Sequence, residues 1–191
     1  MDDKTELRRS LRHERKAFVA AQPAAISALL FLRPPAPVLN LLPEGATIGL
    51  YSAVGEEAPA LRWARWLFEN GRHLALPWFG GRDKAMVMRR WANPFDEVLL
   101  TPDPFGARQP LDDAEEVVPD ALVVPLLGFT ADCERIGQGA GHYDRWLAAH
   151  PDTCAIGLAW DCQLRAQLPI EPHDRPLDAV VTPTRFYRRT A

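Results

Sequence analysis

The residues best suited to chemistry lie in one glycine-rich stretch, residues 135–145, which reads Arg-Ile-Gly-Gln-Gly-Ala-Gly-His-Tyr-Asp-Arg. Glycine at alternate positions lets a backbone approach a ligand closely and turn its N–H groups toward one point. The stretch runs into a predicted helix, whose first N–H groups are unsatisfied and carry the positive end of the helix dipole. Arg135 would add a fixed cation, so that the whole stretch suits a phosphate group.

Other interpretations of the loop can be compared with its residues. A Walker A loop requires Gly-Lys-Ser or Gly-Lys-Thr, which this stretch lacks. A dinucleotide-binding fingerprint requires G-x-G-x-x-G; Gly137 and Gly139 fit it, but His142 occupies the third glycine position. Asp161 follows a later predicted strand, as a ribose-binding acid would, so a Rossmann-type dinucleotide binder stays open. A plain glycine turn between a strand and a helix is the structural alternative.

The elements that must position this loop alternate between helices and strands. Helical spacing and end signals predict helices over residues 3–20, 23–32, 61–68 and 143–150. Short apolar runs predict strands over residues 47–51, 73–76, 86–91, 121–127, 155–160 and 179–181. This alternation predicts an α/β fold with a mostly parallel central sheet, in which residues 1–191 form a single domain. Ligands of such sheets bind at the carboxyl ends of the strands, which points to the loops after Tyr51, Leu76, Leu127 and Trp160.

Composition and charge narrow the class of protein. The 191 residues carry a net charge of -3, so no overall basic field would recruit nucleic acid. No apolar run approaches the roughly 18 residues that a transmembrane helix needs, and the first residues do not resemble a signal peptide. The three cysteines form no CxxC pair and suit a reducing compartment. We therefore expect a cytoplasmic protein, a monomer or weak dimer, with neither nucleic acid nor a membrane as partner.

The glycine-rich loop also carries a family resemblance. The sequence resembles the 5-formyltetrahydrofolate cyclo-ligase family, whose signature is a strand ending in Pro and then F-D-x-x-G-x-R-L-G-x-G-x-G-Y-Y-D-R. This chain matches the signature at Pro125, Phe129, Arg135, Gly137, Gly139, Gly141, Tyr143, Asp144 and Arg145. Further family blocks lie in the expected order at residues 4–8, 48–56, 105–110 and 156–178, the last including His173 and Asp174. The resemblance thus spans nearly the whole chain.

The resemblance implies a three-layer α/β/α fold, ATP and Mg²⁺ as cofactors, and a folate as the small-molecule substrate. It implies that ATP is bound by Lys4, Arg8, Arg135, Ile136, Gly137, Gln138, Gly139, Ala140, Gly141, His142 and Tyr143. It gives Arg135 and Asp144 catalytic roles, and it assigns Mg²⁺ to Asp144 and Asp178. It assigns the folate to Tyr51 and Glu56, with Met88 and Phe105 as weaker candidates; a gap in the register leaves Glu57 open in place of Glu56.

Taken by themselves, several of these side chains also have plainer interpretations. Lys4 and Arg8 lie one helical turn apart and would otherwise be surface charges. Asp144 could be a carboxylate favoured by the start of a helix, and Asp178 a turn residue.

The reaction that the resemblance implies converts 5-formyltetrahydrofolate and ATP into 5,10-methenyltetrahydrofolate, ADP and phosphate. The formyl oxygen attacks the γ-phosphate, N10 attacks the activated carbon, and phosphate departs. Phosphoryl transfer requires mainly positioning and charge neutralisation from the protein, which cationic side chains and Mg²⁺ would supply.

The chain departs from the family pattern at a few positions in and near the loop: Gln109, Thr130, Cys133, Gln138, Ala140 and His142. The phosphate-facing glycines, Arg135 and the carboxylates assigned to Mg²⁺ are kept, which favours an ATP-dependent cyclo-ligase. The altered loop keeps a second hypothesis open, a non-catalytic relative that binds a folate or a nucleotide in a regulatory role.

Overall fold

A computed structural model describes residues 3–171 and 174–189 of the chain. Over these residues the helices are α1 (Asp3–Ala21), α2 (Ala24–Ser27), α3 (Ala36–Leu39), α4 (Leu61–Glu69) and α5 (His142–Ala149). The strands are β1 (Thr47–Gly49), β2 (His73–Trp78), β3 (Val87–Arg90), β4 (Leu100–Pro102), β5 (Arg108–Pro110), β6 (Ala121–Pro125), β7 (Gly128–Phe129), β8 (Arg135–Ile136), β9 (Cys154–Leu158), β10 (Ala179–Val181) and β11 (Phe186–Arg188). Short 3-10 helices occupy Glu97–Leu99 and Asp161–Gln163.

The main sheet has the strand order β11-β10-β9-β6-β1-β2-β3. Its central strands, from β10 to β2, run parallel to one another. The edge strands β3 and β11 are antiparallel to their neighbours. The predicted α/β fold with a mostly parallel central sheet is therefore confirmed.

Helices cover both faces of this sheet. On one face α4 buries Trp63 and Leu67, and part of α1 packs beside it. On the opposite face α5 buries Trp146 and Leu147. The strands between these layers are buried on both sides, which is why they read as continuous apolar runs rather than as alternating patterns.

The direction in which successive strands are added to the sheet reverses at its centre. Strands β1 and β6 are neighbours, but β1 connects through α4 to β2 on one side, whereas β6 connects through α5 to β9 on the other. Such a reversal leaves a crevice between the loops at the carboxyl ends of the two strands. Tyr51, just beyond β1, and Pro125, the last residue of β6, both line a cleft at this point.

The second helix is shorter than the sequence predicted, because α2 ends at Ser27 rather than near residue 32. Among the apolar side chains of this segment, Ile26, Leu29 and Leu32 remain exposed at 48%, 68% and 51%, whereas Phe31 is buried. A short helix without an apolar surface to pack against is not stable in water. The Arg62 guanidinium instead donates to the carbonyls of Ser27, Ala28 and Leu30. A helix continuing to residue 32 would have used the first two of these carbonyls.

Several short elements were not predicted from the sequence. They are α3 inside the proline-rich segment, the β4–β5 and β7–β8 hairpins, and the edge strand β11. Each spans only two to four residues, too few for a periodic pattern to develop. Within residues 3–171 and 174–189, no helix has the length and apolar character needed to cross a membrane.

Candidate active site

A cleft of about 270 Å³ opens at the carboxyl ends of β1 and β6. Its walls come from the start of α1, the loops after β1 and β2, the β4–β5 turn, the glycine-rich loop, and the segment that contains Asp174. The residues that the resemblance assigned to ATP all line it: Lys4, Arg8, Arg135, Ile136, Gly137, Gln138, Gly139, Ala140, Gly141, His142 and Tyr143. Tyr51 and Asp144 line the same cleft.

The glycine-rich loop is held at both ends. At its start β8 pairs with β7, and the Leu127 N–H donates to the carbonyl of Ile136 at 2.8 Å. At its end Gly141 caps α5 with a φ of 66°, which glycine adopts without strain. In between, a Cβ at Gly139 would lie 3.3 Å from the guanidinium carbon of Arg8. The lack of a Cβ at Gly139 therefore lets the loop approach Arg8 of α1 closely.

Arg135 and Asp144 form an ion pair beneath the loop. Arg135 Nη2 lies 2.6 Å from Asp144 Oδ1, and the two side chains are 3% and 20% exposed. Burial lowers the pKa of the Arg135 guanidinium, and the Asp144 charge counteracts this effect; a guanidinium keeps its charge in proteins. The Arg135 Nε is buried without a hydrogen-bond partner in the described residues. The pair thus provides a fixed cation with donor capacity left over.

A second cationic group enters from α1. Lys4 Nζ lies 3.0 Å from Asp174 and 3.3 Å from Glu171. Burial alone would lower the pKa of Lys4, but the hydrogen bonds and charges of these two carboxylates outweigh it, and the pKa lies above its ordinary value. Arg8 Nε donates to the carbonyl of Gly137 at 3.2 Å. Lys4 and Arg8 thus both line the cleft, and Arg8 is bonded to the glycine-rich loop.

The loop after β1 forms the opposite wall. Tyr51 donates its hydroxyl to the carbonyl of Ala58, and burial raises the pKa of Tyr51 well above its ordinary value. Glu57 lines the cleft, and its carboxylate accepts from the Val54 N–H at 3.0 Å and from Gln138 Nε2 at 3.2 Å. Glu56 is not among the lining residues, and its carbonyl accepts from Trp160 Nε1. Of the two acids left open by the register, the structure therefore brings Glu57 to the cleft.

An aromatic cluster of Phe79, Phe105 and His142 closes one end of the cleft. The ring centroids lie 4.9 Å apart for Phe79–Phe105, 5.0 Å for Phe79–His142 and 5.3 Å for Phe105–His142. The buried Gln109 side chain fixes Phe79, because it accepts from the Phe79 N–H and donates to its carbonyl. Met88 is 1% exposed and belongs to the core beneath the sheet, so of the weaker folate candidates only Phe105 reaches the cleft.

We expect the His142 ring to be neutral at pH 7. Burial lowers the pKa of His142 from 6.5, and the neighbouring Arg145, whose Nη2 lies 3.2 Å from Nδ1, lowers it further. A titration followed by NMR should give a midpoint below 6.5. Replacing Arg145 by glutamine should move that midpoint upward, since it removes the smaller of the two causes. A midpoint at or above 6.5 in the unaltered protein would contradict this description of the site.

The structure does not bring Asp178 to Asp144. Asp178 lies just before β10, at the amino end of a parallel strand and therefore at the sheet edge opposite the cleft. Its carboxylate is exposed and accepts from the Ala155 N–H at 2.7 Å, which fixes the start of β9. Asp174, by contrast, lines the cleft, and the following N–H, of Arg175, donates to Asp144 at 3.4 Å.

Two further candidates lie apart from the cleft or cannot be placed. The Asp161 carboxylate accepts from the hydroxyls of Thr182 and Thr184 at 2.5 Å and 2.6 Å, and it does not line the cleft. Asp161 is therefore not placed at the cleft, where the ribose-binding acid of a dinucleotide fingerprint would lie. His173 lies outside the described residues. Asp174 appeared in the sequence only as part of the family block over residues 156–178 and had no predicted role. Its carboxylate within that block was the signal that could have identified it.

The fold and the cleft together define a class of protein. It is an α/β protein in which fixed cations, the Asp144 and Asp174 carboxylates and a glycine-rich loop meet at the carboxyl ends of the central parallel strands. The model of the 5-formyltetrahydrofolate cyclo-ligase family matches residues 1–183. The chain belongs to this family of enzymes, as the loop and its flanking blocks predicted.

Relatives and solved structures agree with this membership. The 5-formyltetrahydrofolate cyclo-ligase of Escherichia coli (strain K12) is 42% identical over 127 residues, which are 63% of this chain and 69% of that protein. The enzyme of the same name from Mycolicibacterium smegmatis is 32% identical over 148 residues, 74% of this chain and 75% of that protein. The NMR structure of Aquifex aeolicus 5,10-methenyltetrahydrofolate synthetase matches with a TM-score of 0.75 at 26% identity, covering 97% of this chain and 92% of that one.

Proposed function

We propose that the chain converts 5-formyltetrahydrofolate and ATP into 5,10-methenyltetrahydrofolate, ADP and phosphate with the help of Mg²⁺. The observation that carries the proposal is the single cleft in which the buried Arg135–Asp144 pair and the glycine-rich loop face Tyr51 and Glu57. The first group suits a triphosphate and the second a polar ring system. Family membership supplies the reaction that joins them.

The phosphates of ATP would lie against the glycine-rich loop. The fit rests on the absence of a Cβ at Gly139, where it would meet Arg8, and on the buried Arg135 Nε that lacks a partner in the described part of the chain. Lys4 and Arg8 would flank the phosphates from α1. Backbone N–H groups at the start of α5 would add donors along the helix dipole.

Asp144 and Asp174 are the residues that would hold Mg²⁺. Magnesium typically takes one or two carboxylates and completes its shell with phosphate oxygens and water. Within the described ranges no group of three His, Cys, Asp or Glu side chains is arranged to hold a metal. Bound there, the ion would neutralise charge on the transferring phosphoryl group. Asp174 takes the place that the resemblance gave to Asp178.

The folate ring would occupy the opposite wall. Glu57 offers carboxylate oxygens to the N–H donors of the pterin, and Tyr51 and the aromatic cluster offer flat apolar surface. Offset or edge contacts between such rings contribute about 0.5–1.5 kcal/mol beyond the buried area. The half-buried His142, whose pKa burial and Arg145 lower, would add to this surface as a neutral ring.

In the proposed reaction the formyl oxygen attacks the γ-phosphorus, and ADP leaves with the electrons of the broken P–O bond. N10 then attacks the activated formyl carbon and gives its proton to water. Phosphate departs with the electrons of the C–O bond, which leaves the methenyl bridge between N5 and N10. The protein's part is to hold both substrates in line and to keep Arg135 against the developing phosphate charge.

Turnover of purified protein tests the proposal. We expect 5-formyltetrahydrofolate to yield a product with the near-ultraviolet absorbance of methenyltetrahydrofolate, only when ATP and Mg²⁺ are both present. Adding EDTA in excess of the metal should stop the reaction, and restoring Mg²⁺ should restart it. Binding of both ligands by calorimetry without any turnover would instead establish the non-catalytic relative.

A further inference from the structure

We propose that Gln138 is a positioning residue that holds the Glu57 carboxylate. It thereby couples nucleotide binding at the glycine-rich loop to folate binding at the loop after β1. The proposal rests on the function proposed above and assigns a specific route by which one substrate prepares the site for the other.

The Gln138 side chain spans the mouth of the cleft. Its Nε2 donates to Glu57 Oε1 at 3.2 Å, and its Oε1 accepts from Arg12 Nε at 2.9 Å. Arg12 Nη2 also donates to the backbone carbonyl of Gln138 at 3.3 Å. A continuous chain of hydrogen bonds therefore joins α1, the glycine-rich loop and the loop after β1.

Arg12 and Glu57, at the two ends of this series of hydrogen bonds, fix the orientation of the Gln138 amide between them. Arg12 can only donate and an ionised Glu57 can only accept, so the amide must turn its oxygen to the arginine and its nitrogen to the carboxylate. The opposite orientation would place like partners against each other at both ends. The second Glu57 oxygen accepts from the Val54 N–H at 3.0 Å. When the Gln138 bond forms, both carboxylate oxygens have donors, and this fixes the direction in which Glu57 faces the cleft.

The coupling between nucleotide and folate binding follows from the positions of Gln138 and Glu57, which a hydrogen bond joins. Gln138 lies between Gly137 and Gly139, whose backbone would contact the phosphates, whereas Glu57 would contact the pterin. Gln138 and Arg12 are both exposed, so holding them in one arrangement costs conformational entropy before any ligand binds. When a bound nucleotide orders the loop, this loss of entropy is included in the free energy of nucleotide binding. The folate then binds to a Glu57 carboxylate that is already in place. Linkage requires the effect to be reciprocal.

Calorimetry with a non-hydrolysable ATP analogue and 5-formyltetrahydrofolate measures the coupling directly. We expect Mg²⁺ and the analogue to tighten folate binding to the unaltered protein by about tenfold, within the usual range of such couplings. In Gln138→Ala that factor should fall to within about twofold of one. The KM for folate should rise about five- to tenfold while kcat changes less than about threefold, as expected for a lost ground-state contact.

Matched variants separate positioning from general damage. Gln167→Ala makes the same substitution at an exposed glutamine outside the cleft and should change neither quantity. Arg12→Ala removes the bridge from the α1 side and should act in the same direction as Gln138→Ala. In a Glu57→Ala background, Gln138→Ala should add nothing further to the folate KM, because its effect passes through that carboxylate.

The outcomes distinguish this inference from the proposed function. If the unaltered protein binds neither ligand, the proposed function fails. If it binds and turns over both, but Gln138→Ala behaves like Gln167→Ala, only the coupling role is overturned. An additive effect of Gln138→Ala and Glu57→Ala on the folate KM would overturn it as well.

Discussion

Replacing Arg135 by lysine should lower kcat by about a thousandfold, the lower end of what an arginine contributes at a transferring phosphoryl group. The guanidinium uses one nitrogen for Asp144 at 2.6 Å and keeps its Nε without a partner in the described residues. A lysine ammonium is a single point of charge at the end of a flexible chain. It can pair with Asp144 or turn toward the phosphate, but it does not hold both positions with the fixed geometry of a planar fork.

The effect should fall on kcat rather than on the KM for ATP. Charge that develops on the phosphoryl group only in the transition state is stabilised only there, so its loss leaves ground-state binding largely intact. The rate of methenyltetrahydrofolate formation, followed by its absorbance, gives both constants. Arg33→Lys, at an exposed arginine outside the cleft, is the matched control. A kcat within tenfold of the unaltered protein would show that Arg135 has a structural role only.

The part of the site that the sequence predicted well is the part that is contiguous in sequence. Residues 135–144 lie in one loop, so their types and spacing already describe a local surface. The structure places all of the predicted ATP-binding residues from this stretch in one cleft. The parallel sheet was predictable for a similar reason, since buried strands leave uninterrupted apolar runs in the sequence.

The parts that the sequence missed depend on distances between separate segments. Asp174 and Asp178 are four residues apart, yet one lines the cleft and the other lies at the opposite edge of the sheet. Glu56 and Glu57 are neighbours in sequence, yet only Glu57 of the two lines the cleft, and the conformation of the loop after β1 decides this. The bridge from Arg12 to Glu57 joins three segments and has no local signature at all.

Asp144 should contribute to stability as well as to chemistry. Replacing it by alanine leaves the Arg135 guanidinium, whose side chain is 3% exposed, without its carboxylate. Removing one member of a buried ion pair typically destabilises a protein by about 3–5 kcal/mol. The partial exposure of Asp144 at 20% places the expected loss near the lower end, at about 3 kcal/mol. Asp144 also lies in the first turn of α5, where a carboxylate adds about 0.3–1 kcal/mol.

Asparagine at position 144 separates the contribution of this side chain to stability from its contribution to turnover. Asp144→Asn keeps the size of the side chain and an oxygen that can accept from Arg135, so its free energy of unfolding should fall by only about 1–2 kcal/mol. Both variants lose the charge that would hold Mg²⁺, so both should lose at least about a hundredfold in turnover, as a missing transition-state interaction of that strength implies. Urea titrations give the free energies of unfolding, and Asp152→Ala, at an exposed aspartate, should stay within about 0.5 kcal/mol of the unaltered protein. If Asp144→Asn kept near-normal turnover, the metal role of this carboxylate would be excluded and only its pairing with Arg135 would remain.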